Sequence, residues 1–299
     1  MITDIESATP ALCRLHLGSE LRQLRHEARL KASQVVRRLL WSPSKLTRLE
    51  TGENAMVEPS DVIALCDMYG ADEEKRAQLV GYAAVTKTKK DWWQTAEYRP
   101  AVSPTFKAYL GLEATAAAKH EYASEFVPGL LQTEEYVRAI YQVSDLARDA
   151  NEVNRYVAVR MARQEALGRM DSPLRFAAVI NESVLRRRIG GSGVMCAQLA
   201  HIVTMATTLP QVRVQVIPFS SGVHEGMNGA FTLLRFRDGG SLKPITYLEN
   251  YADAQVVRSG EIVDQYEIAF ADLQADALGP KESLGMIRAA IEEHGAHGQ

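Results

Sequence analysis

Nine cationic side chains fall between residues 14 and 52: Arg14, Arg22, Arg25, Arg29, Lys31, Arg37, Arg38, Lys45 and Arg48, against Glu20, Glu27 and Glu50. The segment carries +6 in a chain of 299 residues whose total is −3, so the remainder stands at −9. A positive field concentrated on an acidic body draws an anionic partner to that segment alone. Charge by itself describes a solvated helical face equally well, so the pattern beneath it has to decide.

That pattern is helical and broken by tight turns. Leu17, Leu21, Leu24 and Ala28 lie on one helical face, and Val35, Val36 and Leu39 repeat that face in a second helix from about Ala32 to Leu40. Ser42-Pro43 then supplies a cap and a first-turn proline, Leu46 and Leu49 form the buried side of a third helix, and Gly52 stops it. Two short helices joined by a tight turn, the second freshly capped, make a helix-turn-helix. Ser60 is the expected cap of a fourth helix with Val62, Leu65, Cys66 and Tyr69 inward and Gly70 at its end. Asp72 caps a fifth with Leu79, Val80 and Ala83 inward. The expected organisation is a flexible arm over 1–13, then a five-helix DNA-binding domain over 14–86.

This segment resembles the Cro/C1 repressor class, the Xre family, through Leu21, Arg25, Val35, Leu39, Ser42, Pro43, Ser44, Lys45, Leu46, Arg48, Leu49, Glu50 and Gly52. The resemblance implies that Arg25 pairs with Glu50 and that the exposed start of the third helix enters the major groove. The residues placed there are Ser42, Ser44, Lys45, Thr47 and Arg48. Arg48 suits bidentate reading of a guanine edge, Lys45 a base or a phosphate, and the serines a phosphate. Two departures stand out. Lys31-Ala32 replaces the usual Thr-Gln at the start of the second helix, with Lys31 offering a plain phosphate contact. Arg29 and Leu40 replace the usual glycines after the first two helices, so strained and altered turns are expected.

Residues 87–104 read as a linker: a basic run, Lys87 to Lys90, beside Trp92-Trp93, whose rings are expected to dock on the second domain or across a dimer. Residues 105–299 read as an α+β domain. FKAYLGLEATAAAKHEYASEF is expected as one alanine-rich helix. Thr133 caps another, and 150–170 form a longer one with Arg155, Arg160, Arg163 and Arg169 on its exposed face. Strands are expected at 174–180, 212–219, 230–236 and 245–250, with Asp238-Gly239-Gly240 as a hairpin turn and a helix from Gly193 to Thr208 as a crossover. Helices from Glu261 to Leu278 and Pro280 to Glu292 close the chain. The fold class is therefore mainly α with a smaller α+β part: a helical head, then helices around a small mixed sheet.

The series YLGLEATA, FVPGLLQTEEYVRA, INESVLRR and VQVIPFSSGVHEGMNGAFTLLRF is similar to the large C-terminal domain of actinobacterial WhiJ-like regulators, which join an Xre-type head to this domain. The resemblance implies a homodimeric transcriptional regulator, antitoxin-like in its pairing with a small protein partner encoded nearby.

Enzymatic chemistry is thin. Gly190-Gly191-Ser192-Gly193 lacks the lysine of a phosphate-binding loop, and Ser220-Ser221-Gly222 is no nucleophile elbow. A lone His224-Glu225 lacks metal-helix spacing. His224, Glu225, Asn228, Tyr247 and Glu249 are instead grouped as a loop for a small-molecule effector or protein partner. Cys13, Cys66 and Cys196 form no CxxC pair, so neither disulfide scaffold nor zinc ribbon is indicated. The expectation is a cytoplasmic, non-enzymatic protein with no cofactor, no metal and no membrane span. It binds double-stranded operator DNA. The alternative is a protein-sequestering module whose DNA-binding head has weakened.

Overall fold

The computed structural model describes residues 9–54, 56–142, 149–170, 172–237, 242–250 and 254–296. These fall into two compact units. One comprises the described residues of 1–95 with 110–115 and 236–243; the other comprises those of 96–109, 116–235 and 244–299.

The first unit holds α1 (Pro10–Glu27), α2 (Ala32–Leu39), α3 (Pro43–Thr51), α4 (Pro59–Tyr69) and α5 (Glu73–Thr88). Their core is Leu17, Leu21, Val35, Leu46, Leu49, Val62, Leu65, Leu79 and Tyr82, the faces expected from the periodicity. The arm is shorter than expected. Residues 10–13 already belong to α1, with Ala11 and Cys13 buried, and residues 1–8 lie outside the described set. The reason is Asp91, whose Oδ1 accepts from the Ala11 amide at 3.0 Å while Oδ2 takes Arg14 Nη2 at 2.8 Å. A buried carboxylate at a helix N-terminus satisfies an otherwise orphan donor and meets the positive end of the dipole. The expected linker is correspondingly structured. Lys87 and Thr88 complete α5, Trp92–Gln94 form a 3₁₀ turn, and Trp93 is buried edge-on to Trp92. The fourth helix begins at Pro59 with Glu58 in the N-cap position, two residues before the expected Ser60, and the Glu58 side chain makes no capping bond.

Four helices of this unit end the same way. The amide of Leu30 reaches Arg25 O, Trp41 reaches Val36 O, Glu53 reaches Arg48 O and Ala71 reaches Cys66 O, at 2.9–3.0 Å. Each closure needs a left-handed residue, and these are Arg29, Leu40, Gly52 and Gly70. Helices α1 and α3 approach most closely at Gly18, where a Cβ would stand 2.5 Å from Leu49 O.

The second unit is built on one six-stranded mixed sheet in the order β3-β2-β1-β4-β5-β6. Its strands are β1 (Ala118–Ala123), β2 (Arg175–Asn181), β3 (Val212–Ile217), β4 (Phe231–Arg235), β5 (Ile245–Glu249) and β6 (Ala254–Val257). β1, β2 and β3 run parallel; β4, β5 and β6 alternate antiparallel. The four expected strands are present. The hairpin turn expected at 238–240 lies outside the described residues, although β4 and β5 do pair. α6 (Pro104–Thr115) stops where one long helix was expected, and the alanine-rich tail becomes β1 between β2 and β4. Alanine is a strong helix former, but intrinsic propensity is a weak constraint, and pairing with two neighbouring strands outweighs it. α7 (Glu134–Gln142) and α8 (Ala150–Gln164) connect β1 to β2; α9 (Glu182–Arg186) and α10 (Ser192–Thr208) connect β2 to β3. α8 gives way to a 3₁₀ turn at 165–168, short of the expected end at 170. α11 (Gly260–Asp276) and α12 (Pro280–Ala296) close the chain.

α11 packs Val263, Phe270 and Leu273 on the sheet face formed by Tyr122, Val179, Phe231 and Leu233. The opposite face carries Lys119, 1% exposed, whose ammonium lies 5.6 Å from the Tyr109 ring and 5.5 Å from the Phe176 ring. Arg163 was expected on an exposed face of α8 but is buried, its guanidinium 5.2 and 5.4 Å from the rings of Phe106 and Tyr109. Arginine's planar, weakly hydrated head tolerates such surroundings.

Two outcomes follow from this packing. Replacing Gly18 by Ala sets a methyl against the α3 backbone and should destabilise the first unit by about 1–3 kcal/mol in chemical denaturation. His120, stacked on Phe270 at 4.8 Å, is held neutral by burial and then by Arg235, its pKa lowered to about 4. The unfolded chain takes up this proton near pH ~6.5, so the contribution is complete above that pH. It is lost as pH falls toward 4, by up to about 3 kcal/mol. Thermal unfolding of His120→Leu should show a shallower pH dependence across this window.

Candidate nucleic-acid interface

α3 begins at Ser42, whose Oγ accepts from the Lys45 amide at 3.2 Å, with Pro43 in the first turn. Leu46 and Leu49 turn inward, which leaves Ser44, Thr47 and Arg48 as one exposed stripe at i, i+3 and i+4, with Thr51 half-buried at its end. The Ser42 and Ser44 hydroxyls lie 3.1 Å apart, and Thr47 Oγ1 donates to Pro43 O at 3.1 Å. Thr47 is thereby committed to its own helix, whereas the Arg48 guanidinium stands exposed.

The stripe is fixed by Arg25 and Glu50. Arg25 Nε donates to Oε1 at 2.6 Å and Nη2 to Oε2 at 2.8 Å, a planar fork closed on a carboxylate, while Nη1 donates to Leu30 O at 3.1 Å. Glu50 raises the Arg25 pKa through this bond, and burial followed by the Glu50 charge pushes the Tyr69 hydroxyl up. One pair thus joins the ends of α1 and α3 and the turn into α2.

The basic field is not uniform. Arg14 is taken by Asp91, Arg25 by Glu50 and Lys45 by Asp61. Among the described residues the other six, Arg22, Arg29, Lys31, Arg37, Arg38 and Arg48, show no ion pair and are exposed. Lys31 opens α2, its amide donating to Gln34 Oε1 at 2.7 Å. Arg37 and Arg38, on the exposed side of α2, were not among the contact residues expected from sequence, and charge in an amphipathic helix was the signal that pointed to them. The partnership of Lys45 with Asp61 carries no sequence signal, because it joins different helices.

The turns expected to be altered are retained. Arg29 and Leu40 occupy the left-handed region at φ 55° and 54°. Leu40 does so while 92% exposed, with no packing to compensate.

Of the five residues grouped in the second unit, His224, Glu225 and Asn228 come together, and Tyr247 and Glu249 lie elsewhere. His224 is buried, its Nδ1 accepting from the Gly226 amide at 3.1 Å, so the ring caps the 3₁₀ turn Glu225–Asn228. Gly226 is pressed on Tyr122, where a Cβ would stand 2.2 Å from Cζ. His224, Glu225 and Asn228 share a shallow groove of 470 Å³ with Asp272 and Asp276. Tyr247 lies apart from it on β5, stacked on Tyr109 at 4.2 Å, and Glu249 sits on the same strand. Among the described residues no group of three or more His, Cys, Asp or Glu is arranged to hold a metal ion. None of the described helices is long and apolar enough to cross a membrane.

Comparison with known families finds two matches along the chain. A helix-turn-helix domain matches residues 16–79, and a domain of unknown function (DUF5753) matches residues 106–289. No curated protein and no solved structure matches the chain.

Leucine is costly in the left-handed region, by about 1–2 kcal/mol, and glycine escapes this at about 0.5–1 kcal/mol of chain entropy. Leu40→Gly should therefore raise the stability of the head by about 0.5–1 kcal/mol, read from the midpoint of chemical denaturation.

Proposed function

The chain belongs to the DUF5753 family, and from the helix-turn-helix head in front of that domain we propose that it is a sequence-specific transcriptional regulator of the Cro/C1 type, acting as a homodimer on operator DNA. The observation that carries the reading is the exposed stripe of α3, capped at its start by Ser42 and held in orientation by the Arg25–Glu50 fork. Arg48 reads a base edge. Ser42, Ser44 and the free amides at the start of α2 and α3 hold phosphates, with Lys31, Arg37 and Arg38 beside them. Two heads in a dimer would meet half-sites about one helical turn apart, ~34 Å. The second unit is assigned dimerisation and the reception of a small protein partner or effector, the role its resemblance to WhiJ-like regulators implies.

The alternative, a sequestering module with a weakened head, rests on the missing glutamine at the start of α2 and on the two missing glycines. Arg29 and Leu40 hold the glycine geometry, which leaves Lys31-Ala32 in place of Thr-Gln as the one feature that favours it.

A gel shift on the DNA upstream of the protein's own coding sequence, at two salt concentrations with random DNA as competitor, tests the reading. Binding should exceed that to random DNA and weaken with salt. Arg48→Ala should lose about 1–3 kcal/mol and relax the preference at one position, whereas Lys31→Ala should weaken all sequences alike. Binding of Arg48→Ala that matches wild type in strength and preference removes Arg48 from the reading set.

A further inference from the structure

Lys45 belongs to the exposed start of α3, yet it is already occupied. Its ammonium lies 2.9 Å from Asp61 Oδ1 and 2.8 Å from Oδ2, and 3.9 Å from the centre of the Trp41 ring. Asp61 sits in the first turn of α4, where the helix dipole favours a carboxylate. The pair is neither buried nor free, with side chains 36% and 22% exposed. A phosphate could approach this ammonium, but only in competition with Asp61, and Lys45 would leave the indole face in doing so.

We propose that Asp61 sets the strength of the head's grip on DNA: it restrains Lys45 and withholds one phosphate contact from the DNA-facing surface. The inference rests on reading α3 as that surface. Phosphate contacts carry no sequence information and supply essentially all of non-specific affinity. A cation held back by an internal carboxylate therefore weakens the grip on all sequences alike and leaves the preference to the base reading by Arg48.

The test uses the full chain and a random-sequence duplex, with binding measured by fluorescence anisotropy over a salt series. D61N keeps the shape of the side chain and removes its charge. It should bind about three- to tenfold tighter at low salt, with the log–log salt dependence steeper by about 0.9. K45A and the double variant K45A/D61N should bind alike. A D61N protein with unchanged affinity and slope overturns the restraint, and so does one that binds more weakly. A gain that persists in the K45A background also overturns it, because the cause would then be the lost negative charge alone. If wild type and D61N both lack salt-dependent affinity for duplex, the DNA reading itself falls and takes the restraint with it. If wild type binds and D61N is unchanged, only the restraint falls.

Discussion

The head depends on one ion pair. Arg25 and Glu50 are side chains of α1 and α3 that meet through two parallel hydrogen bonds in a partly dry setting, and the third arm of the guanidinium takes the carbonyl of Leu30. Removing one member would leave a charge without its partner, which is far more damaging than losing both. The pair is therefore best understood as setting geometry. It fixes the end of α3 against α1, while Gly18 allows the two backbones to come close enough for Leu46 and Leu49 to enter the core. The exposed stripe on the other side of α3 inherits its direction from those inward contacts.

The same closure at the ends of α1, α2, α3 and α4 shows how strongly tertiary packing governs the turns. Gly52 and Gly70 adopt the left-handed conformation at little steric cost; Arg29 and Leu40 adopt it against their own preference. Replacing glycine did not change the path of the chain, because the core on either side and the Arg25–Leu30 bond over-determine it. The penalty appears as lost stability rather than as a different turn.

Legibility followed the range of the interaction. Ser42-Pro43, Gly52, Gly70 and Asp72 are local signals, and the five helices could be read from them. The cationic partners of Asp91 and Asp61 lie 77 and 16 residues away, and no periodicity announces them. In the second unit β2, β3, β4 and β5 are rich in β-branched and aromatic residues and were legible. β1 was not, since its identity comes from β2 and β4 on either side rather than from its own alanines. β6, a short strand on the edge of the sheet beside β5, was missed for a similar reason. His224 and Glu225 looked like ligand chemistry because they follow a strand in a glycine-containing loop. The glycine at 226 is there to lie on Tyr122, and the histidine caps the turn that brings it down.

A cation count therefore says less about a DNA-facing surface than the fate of each cation. Arg14 stabilises the start of α1, Arg25 orients α3, and Lys45 is shared between an aspartate and an indole. Spending three charges on internal order lowers the long-range field, but it makes the remaining ones effective. In the function proposed, Arg48 would read a base edge from a helix held by the Arg25–Glu50 fork, and a planar guanidinium does so best when its direction is fixed in advance. Rigidity bought with part of the charge is what separates a surface that reads sequence from one that merely adheres to phosphate.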